Sequence, residues 1–192
     1  MTPKKRVLLA VVSLLLSALP GLSGAAPQRP ATNRDALLTQ AFEKRVGLYV
    51  KLRKQMEAGL PPLKTTRSAA KLAQHQRALA EKIRAARKDA RQGVIFTPEI
   101  AAEFRRLIAI AMRGPDAARI RSSLSGAGSA QWHVYVDEIY PERAPLPTTP
   151  PTLLLNLPKL PPELDYRFVG QDMVLRDADA DLVVDFIPGA LP

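Results

Sequence analysis

The sequence contains no cysteine and few aromatic residues. Among its 192 residues there are no Cys, 1 Trp, 4 Tyr and 5 Phe. The absence of cysteine excludes disulfides, thiol catalysis, thiolate metal sites and a lipid-modified cysteine at the end of a leader. The fold must therefore be stabilised by its apolar core alone, and a chain of this length is long enough to bury one.

Histidine is also scarce, and no group of residues has the spacing of a catalytic site. The 2 His are too few to suggest a transition-metal site in a chain without cysteine. Ser68 and Lys71 match the S-x-x-K spacing of an activated serine, but the companion motifs are missing. A helix cap followed by a surface lysine explains this pair better. We therefore predict that the protein is not an enzyme and has no cofactor.

Only one apolar run is long, and it lies near the start of the chain. The basic residues 4–6 precede the run Val7–Leu19, and residues 23–25 are small, as signal peptidase requires. The run has about 13 residues, whereas roughly 20 are needed to cross a bilayer. These features predict a cleavable signal peptide over residues 1–26, with an uncleaved anchor as the alternative. The mature chain is expected to be periplasmic or secreted, with no transmembrane segment after cleavage.

Charge divides the rest of the chain into two regions. Residues 27–126 contain 21 Lys+Arg and 8 Asp+Glu, a net charge of +13. Residues 127–192 are rich in proline and contain 4 Lys+Arg and 10 Asp+Glu, a net charge of −6. Basic helices of the first region face an anionic partner in one interpretation. In the other, the two regions neutralise each other within one domain.

Apolar spacing predicts that the basic region is helical. The first helix has an apolar face that repeats every three or four residues, formed by Leu38, Phe42, Val46, Tyr49, Leu52, Met56 and Leu60. A second helix is expected over residues 68–91, antiparallel to the first, with Leu72 on its thin apolar stripe. Thr97-Pro98-Glu99 begins a third helix, and a shorter fourth helix follows Gly114-Pro115.

Apolar alternation predicts a three-stranded antiparallel meander at the end of the acidic region. The shared faces are formed by Tyr166, Phe168, Met173, Leu175, Leu182, Val184 and Phe186. Gly170-Gln171 is expected to form a tight turn and residues 178–180 a looser one. Residues 132–137 suit one further strand. The predicted fold class is α+β: an N-terminal helical hairpin plus one or two further helices, packed in one domain with a small C-terminal antiparallel β-meander.

The basic faces of the first two helices are the candidate binding surface. They predict a partner that is an anionic envelope surface or another envelope protein. Nucleic acid is not expected, because the second helix has no aromatic residue on which a base could stack. The candidate residues are Lys51, Arg53, Lys54, Arg84, Arg87, Lys88 and Arg91.

An aspartate repeat between the last two strands suggests an alternative function. Asp177, Asp179 and Asp181 occupy every second position, as ligands do in calcium loops. Leu182 and Pro188 stand where that template requires glycine and glutamate. Acids that bind local amides in a turn explain the repeat without a metal. With a metal, the protein would be a metal-responsive periplasmic accessory protein.

The C-terminal strands also resemble the C-terminal motif of periplasmic nickel/cobalt-homeostasis proteins. The resemblance covers about 30 residues and rests on Leu160-Pro-Pro, Tyr166-Arg-Phe-Val-Gly170, Asp172, Leu175, Asp177 and Val183-Val184-Asp185. It implies a periplasmic, non-enzymatic accessory module that ends in a small sheet. It implies no metal ligands here, since the chain has only 2 His. The whole chain is similar to small exported bacterial proteins whose function is uncharacterised.

Overall fold

The computed structural model describes residues 31–62, 68–124, 133–140 and 149–192, with the side chains described from residue 34 onward. The predicted signal peptide and the cleavage site lie outside these ranges. The elements within them are α1 (Ala31–Ala58), α2 (Ala69–Ala86), α3 (Pro98–Ala111), α4 (Ala117–Leu124), α5 (Pro151–Leu154), β1 (Leu164–Val169), β2 (Asp172–Asp177) and β3 (Leu182–Ile187). This order confirms the predicted α+β class, with helices first and the sheet at the end.

Side-chain caps explain where α2 and α3 begin. The hydroxyl of Ser68 accepts a hydrogen bond from the Lys71 amide at 3.5 Å, so the S-x-x-K pair is a helix cap. Thr97 caps α3 through the amide of Ile100, also at 3.5 Å, and Pro98 occupies its first turn. Within the described residues, no helix combines the length and apolarity needed to cross a membrane.

The helices α1 and α2 form the expected antiparallel hairpin, but α2 is offset along it. Arg87 lies over the ring of Tyr49, whereas Lys82 lies beside Gly59. The first half of α2 therefore extends beyond the end of α1. Its buried residues all lie in the second half, and Leu72, expected on the apolar stripe, is 46% exposed. That expectation was wrong because α1 ends before it could cover Leu72.

The sheet has the predicted order β1-β2-β3, with antiparallel neighbours. Val169 pairs with Asp172 across a two-residue turn, where Gly170 has a φ of 60°. That angle is costly for any residue with a Cβ, which explains the glycine. One side of the sheet packs on the helices, where Tyr166 meets the Phe104 ring edge-on at 6.0 Å between centroids.

A β-bulge changes which residues of β3 face the helices. Leu175 pairs with Asp185, but the next residue, Arg176, pairs with Val183, so β3 contains one extra residue. As a result Phe186 contacts the outer cluster of the sheet rather than the helical core. The prediction that Phe186 shares a face with Leu182 and Val184 was therefore wrong.

The outer side of the sheet is covered by the segment 133–140. This segment is not the strand predicted over 132–137: its only bridge joins Ile139 to Leu182, and residue 132 lies outside the described ranges. The positive φ of Asp137, 62°, breaks an extended conformation. Val134 and Tyr140 instead pack against valines of the three strands and form a small second hydrophobic cluster with them. Both sides of the meander are thereby buried.

Candidate anion-binding surface

The structure divides the seven predicted basic residues into two groups. Three arginines turn into the protein and bind groups of the acidic region, namely Arg53, Arg84 and Arg87. The remaining four side chains are exposed, namely Lys51, Lys54, Lys88 and Arg91. Moreover, α2 ends at Ala86, so the last three of the seven lie in the connector to α3 rather than on a helix face. The seven residues therefore do not form one surface.

Arg53 lies in the buried face of α1 and is only 2% exposed. Its Nε donates to Asp177 Oδ2 at 3.0 Å, its Nη1 to Glu57 at 2.8 Å, and its Nη2 to Asp179. Burial by itself lowers the pKa of Arg53, but the three carboxylates outweigh it and hold that pKa above its ordinary value. Arg53 thus joins α1 to the turn between β2 and β3, and cannot contact an external partner.

Arg84 and Arg87 join the helical hairpin to the segment that covers the sheet. Arg87 Nη1 lies 2.5 Å from Asp137 Oδ1, and its Nη2 donates to the carbonyl of Val184 at 2.9 Å. Arg84 Nε donates to the Asp137 carbonyl at 2.6 Å. Burial raises the pKa of Asp137 despite these cations. Both arginines therefore serve the fold, which corrects their assignment to an exposed surface.

The aspartates of the turn between β2 and β3 are also engaged within the protein. Asp177 is fully buried; its Oδ1 accepts from the amides of Asp179 and Ala180 at 3.1 and 2.9 Å. Its Oδ2 accepts from the Tyr49 hydroxyl at 2.8 Å, and Asp181 pairs with Arg176 at 3.0 Å. Among the described residues, no three potential metal ligands converge. These contacts match the local-amide interpretation of the repeat and differ from those of a calcium loop.

One buried carboxylate was missed by the sequence reasoning. The bulge directs Asp185 towards the connector before α3, where it accepts from the amides of Gly93, Ile95 and Phe96 at 2.9, 2.7 and 2.8 Å. It also accepts from the Phe186 amide. The only sequence signal for this buried role was an acidic residue within the otherwise apolar run of β3. Its role is to satisfy backbone donors where the connector approaches the sheet.

Of the seven predicted basic residues, those that remain outside are three lysines and one arginine. Lys54 is 63% exposed and lies 3.4 Å from Glu163. Lys44, Lys51 and Lys88 are exposed and make no ion pair with any described residue. Arg91 is exposed in the same way. The planar, multidentate guanidinium suits buried pairs, whereas the strongly hydrated ammonium favours the surface.

An apolar groove lies next to these cations, between α1 and the connector that precedes α3. Leu48, Leu52 and Val94 line its apolar part, over a volume of about 230 Å³. Arg45 borders it, with Nη1 donating to the Val94 carbonyl at 2.7 Å. Neither histidine nor cysteine lines it, so it offers an apolar surface beside positive charge rather than a reactive group.

A second groove, of about 370 Å³, follows β1 and the residues before it. Its charged side chains are Lys159, Asp165 and Arg167, and the last two bind each other at 2.6 Å. The hydroxyl of Thr149 donates to the carbonyl of Tyr166 at 2.7 Å. The groove therefore brings together no nucleophile with a general base.

Comparison of the chain with known proteins found no matching family model, no matching curated protein and no matching solved structure. The resemblance of the C-terminal strands to nickel/cobalt-homeostasis proteins therefore stays a prediction. The class that the geometry itself defines is a small α+β protein in which Arg53, Arg84 and Arg87 join the two charged regions and the described lysines are exposed.

Proposed function

We propose that this chain is an exported, non-enzymatic protein that binds an anionic partner in the cell envelope. The surface is formed by exposed cations of α1 and of the connector between α2 and α3. One observation carries the proposal: Lys44, Lys51, Lys88 and Arg91 are exposed and make no ion pair with described residues, although the other half of the chain is acidic.

No described carboxylate of the acidic region pairs with these four cations, and four of those carboxylates bind other groups within the fold. Asp137, Asp177 and Asp179 bind arginines, and Asp185 binds backbone amides. Pairing between the two regions thus accounts for Arg53 and Arg87 but not for the four exposed cations.

Glu43 and Asp89 adjoin Lys44 and Lys88 in the chain, but the exposed cations outnumber these acids. The excess positive charge attracts an anionic partner over about one Debye length, or roughly 10 Å at 0.1 M salt.

The envelope location is supported by the first 26 residues. A basic cluster, an apolar run of about 13 residues and small residues at 23–25 follow one another as in a secretory signal. The test is to express the full chain with a C-terminal tag, fractionate the cells and measure the mass of the purified protein. We expect a chain that begins after Ala25 or Ala26 in the exported fraction. A full-length product in the cytoplasm would contradict the location.

Binding is tested with residues 27–192, which contain every helix and strand of the described fold. Calorimetric titration with polyphosphate, a soluble polyanion, should show binding at low salt that weakens steeply at high salt. The double variant K51Q/K88Q should bind more weakly and with a smaller salt dependence. The control K71Q/K82Q removes the same charge from exposed sites on α2. Absence of binding at low salt, or equal losses in both variants, would overturn the proposed surface.

A further inference from the structure

The helix α1 carries a second stripe, which is exposed except at Ala41, a partly buried residue that contacts the core. It has the same alternation of three and four residues as the buried stripe, so its members lie on one face of the helix. The outward stripe consists of Arg34, Leu37, Ala41, Lys44, Leu48, Lys51 and Gln55. We call these residues the outward stripe of α1. At a rise of about 1.5 Å per residue, it is about 30 Å long.

The composition of the outward stripe is unusual for a solvated helix face. Leu37 is 58% exposed and Leu48 is 62% exposed, while the cations between them are exposed as well. No acidic residue belongs to the stripe, and Glu43 is the only acid between residues 36 and 56. Val94, beside Leu48 in the groove, continues the exposed apolar surface. Leucines and cations therefore alternate along one side of α1.

We propose that the outward stripe of α1 binds the surface of an anionic lipid bilayer, with the helix lying parallel to it. This inference rests on the proposed function and names its partner. Lysine ammonium groups reach anionic headgroups while their alkyl chains, with the leucines, enter the boundary between headgroups and acyl chains. An acidic protein would attract the same charges. Single leucines about three turns apart, with cations around them, fit the shallow insertion of an interfacial helix better than a packed protein interface.

The rest of the fold keeps α1 helical, with most of its outward stripe exposed, before any partner binds. Phe42, Val46 and Tyr49 are buried on the opposite side of α1, and Arg53 joins the helix to the sheet. The helix is therefore formed before it meets a membrane, so binding does not include the cost of folding it. Attachment should be peripheral and reversible, since only isolated leucines insert.

The experiment compares three probes with residues 27–192, the part that contains the whole described fold. Omitting residues 1–26 removes the apolar run 7–19, which would bind vesicles by itself. The probes are vesicles of phosphatidylglycerol, vesicles of phosphatidylcholine, and polyphosphate in solution. We expect co-sedimentation with phosphatidylglycerol vesicles at low salt, little with phosphatidylcholine, and a steep loss at high salt. Binding to polyphosphate without binding to vesicles would overturn the lipid inference and leave the proposed function standing. Binding to neither would overturn both.

Variants then test the stripe itself. K44Q/K51Q should weaken vesicle binding about 30-fold, at about fivefold per lysine near an anionic surface. L48Q should weaken it by about fivefold to 20-fold, because most of that side chain is available for burial. The matched controls K71Q/K82Q and L155Q change exposed residues outside the stripe and should alter binding less than threefold. Equal losses in the controls would overturn the assignment, and circular dichroism checks that each variant is folded.

Discussion

Replacing Arg53 or Asp177 should reveal the strongest single coupling between the helices and the sheet. Asp177 is fully buried, and each of its oxygens accepts two hydrogen bonds. Arg53→Met leaves this carboxylate buried without its cation, a loss that typically costs about 3–5 kcal/mol. Asp177→Asn should cost about as much. Whichever oxygen the NH2 group of the asparagine replaced, it would face two hydrogen-bond donors, and these donors would lose their acceptor. Chemical denaturation of residues 27–192 measures both values.

The double variant R53M/D177N separates this coupling from general disturbance. Without Arg53, the change of Asp177 to Asn removes an unpaired buried charge and therefore costs less. The losses of the two single variants should add up to at least about 1.5 kcal/mol more than the loss measured for the double variant. Lys54→Met is the matched control: Lys54 is 63% exposed, and its ion pair with Glu163 should contribute less than about 1 kcal/mol. Single losses below about 1 kcal/mol, or simple additivity, would refute the reasoning.

The same variants test the metal-responsive alternative. If Asp177, Asp179 and Asp181 serve only the fold, calcium and zinc ions should leave the melting temperature of the unmodified protein unchanged. A metal-dependent increase that D177N abolishes would instead support a cation site at this turn, because a ligand that binds only the native state raises its stability.

Three further predictions follow from buried acceptors, buried hydroxyls and backbone conformation. Asp185→Ala should cost more than about 3 kcal/mol in chemical denaturation, since it leaves the amides of the connector before α3 without an acceptor; a loss below about 1 kcal/mol would contradict this. Burial raises the pKa of three tyrosines in the folded state, so the unfolded state releases up to three more protons above pH 10. The free energy of unfolding should therefore fall with rising pH there, by up to about 4 kcal/mol per pH unit. The three residues are Tyr49, Tyr140 and Tyr166; the fourth tyrosine, Tyr135, is exposed and is replaced by phenylalanine for the test. Tyrosinate absorbance near pH 10 in the still-folded variant Tyr135→Phe would refute the prediction. Gly47→Ala, inside α1, should raise stability by about 1 kcal/mol, whereas Gly170→Ala, at a φ of 60°, should lower it by about 1–2 kcal/mol. An added Cβ meets nothing within 4 Å at either site, so equal effects in thermal melts would contradict the conformational explanation.

The sequence alone could have predicted which side of α1 some of the candidate residues occupy. Arg53 follows Tyr49 by four residues and precedes Met56 by three, which places it on the buried face of α1. The outward stripe follows from the same periodicity. The end of α2 could not be predicted this way, because Arg87 leaves the helix to bind Asp137 and the Val184 carbonyl, and both partners are distant in the chain.

The sequence by itself determined the type and order of the first four helices and of the three strands of the meander, the caps of α2 and α3, and the turn at Gly170. Each of these depends on residues within one or two turns of each other, so local spacing is sufficient to predict them. Only the tertiary structure decided which charges pair. Arg53 and Asp177 lie 124 positions apart, and a bulge of one residue in β3 directs Asp185 towards the helices. Lys51, Lys54 and Lys88 were candidates from the sequence together with the arginines. Only the fold separated the exposed cations from the buried ones, because burial and pairing depend on the packing of distant segments.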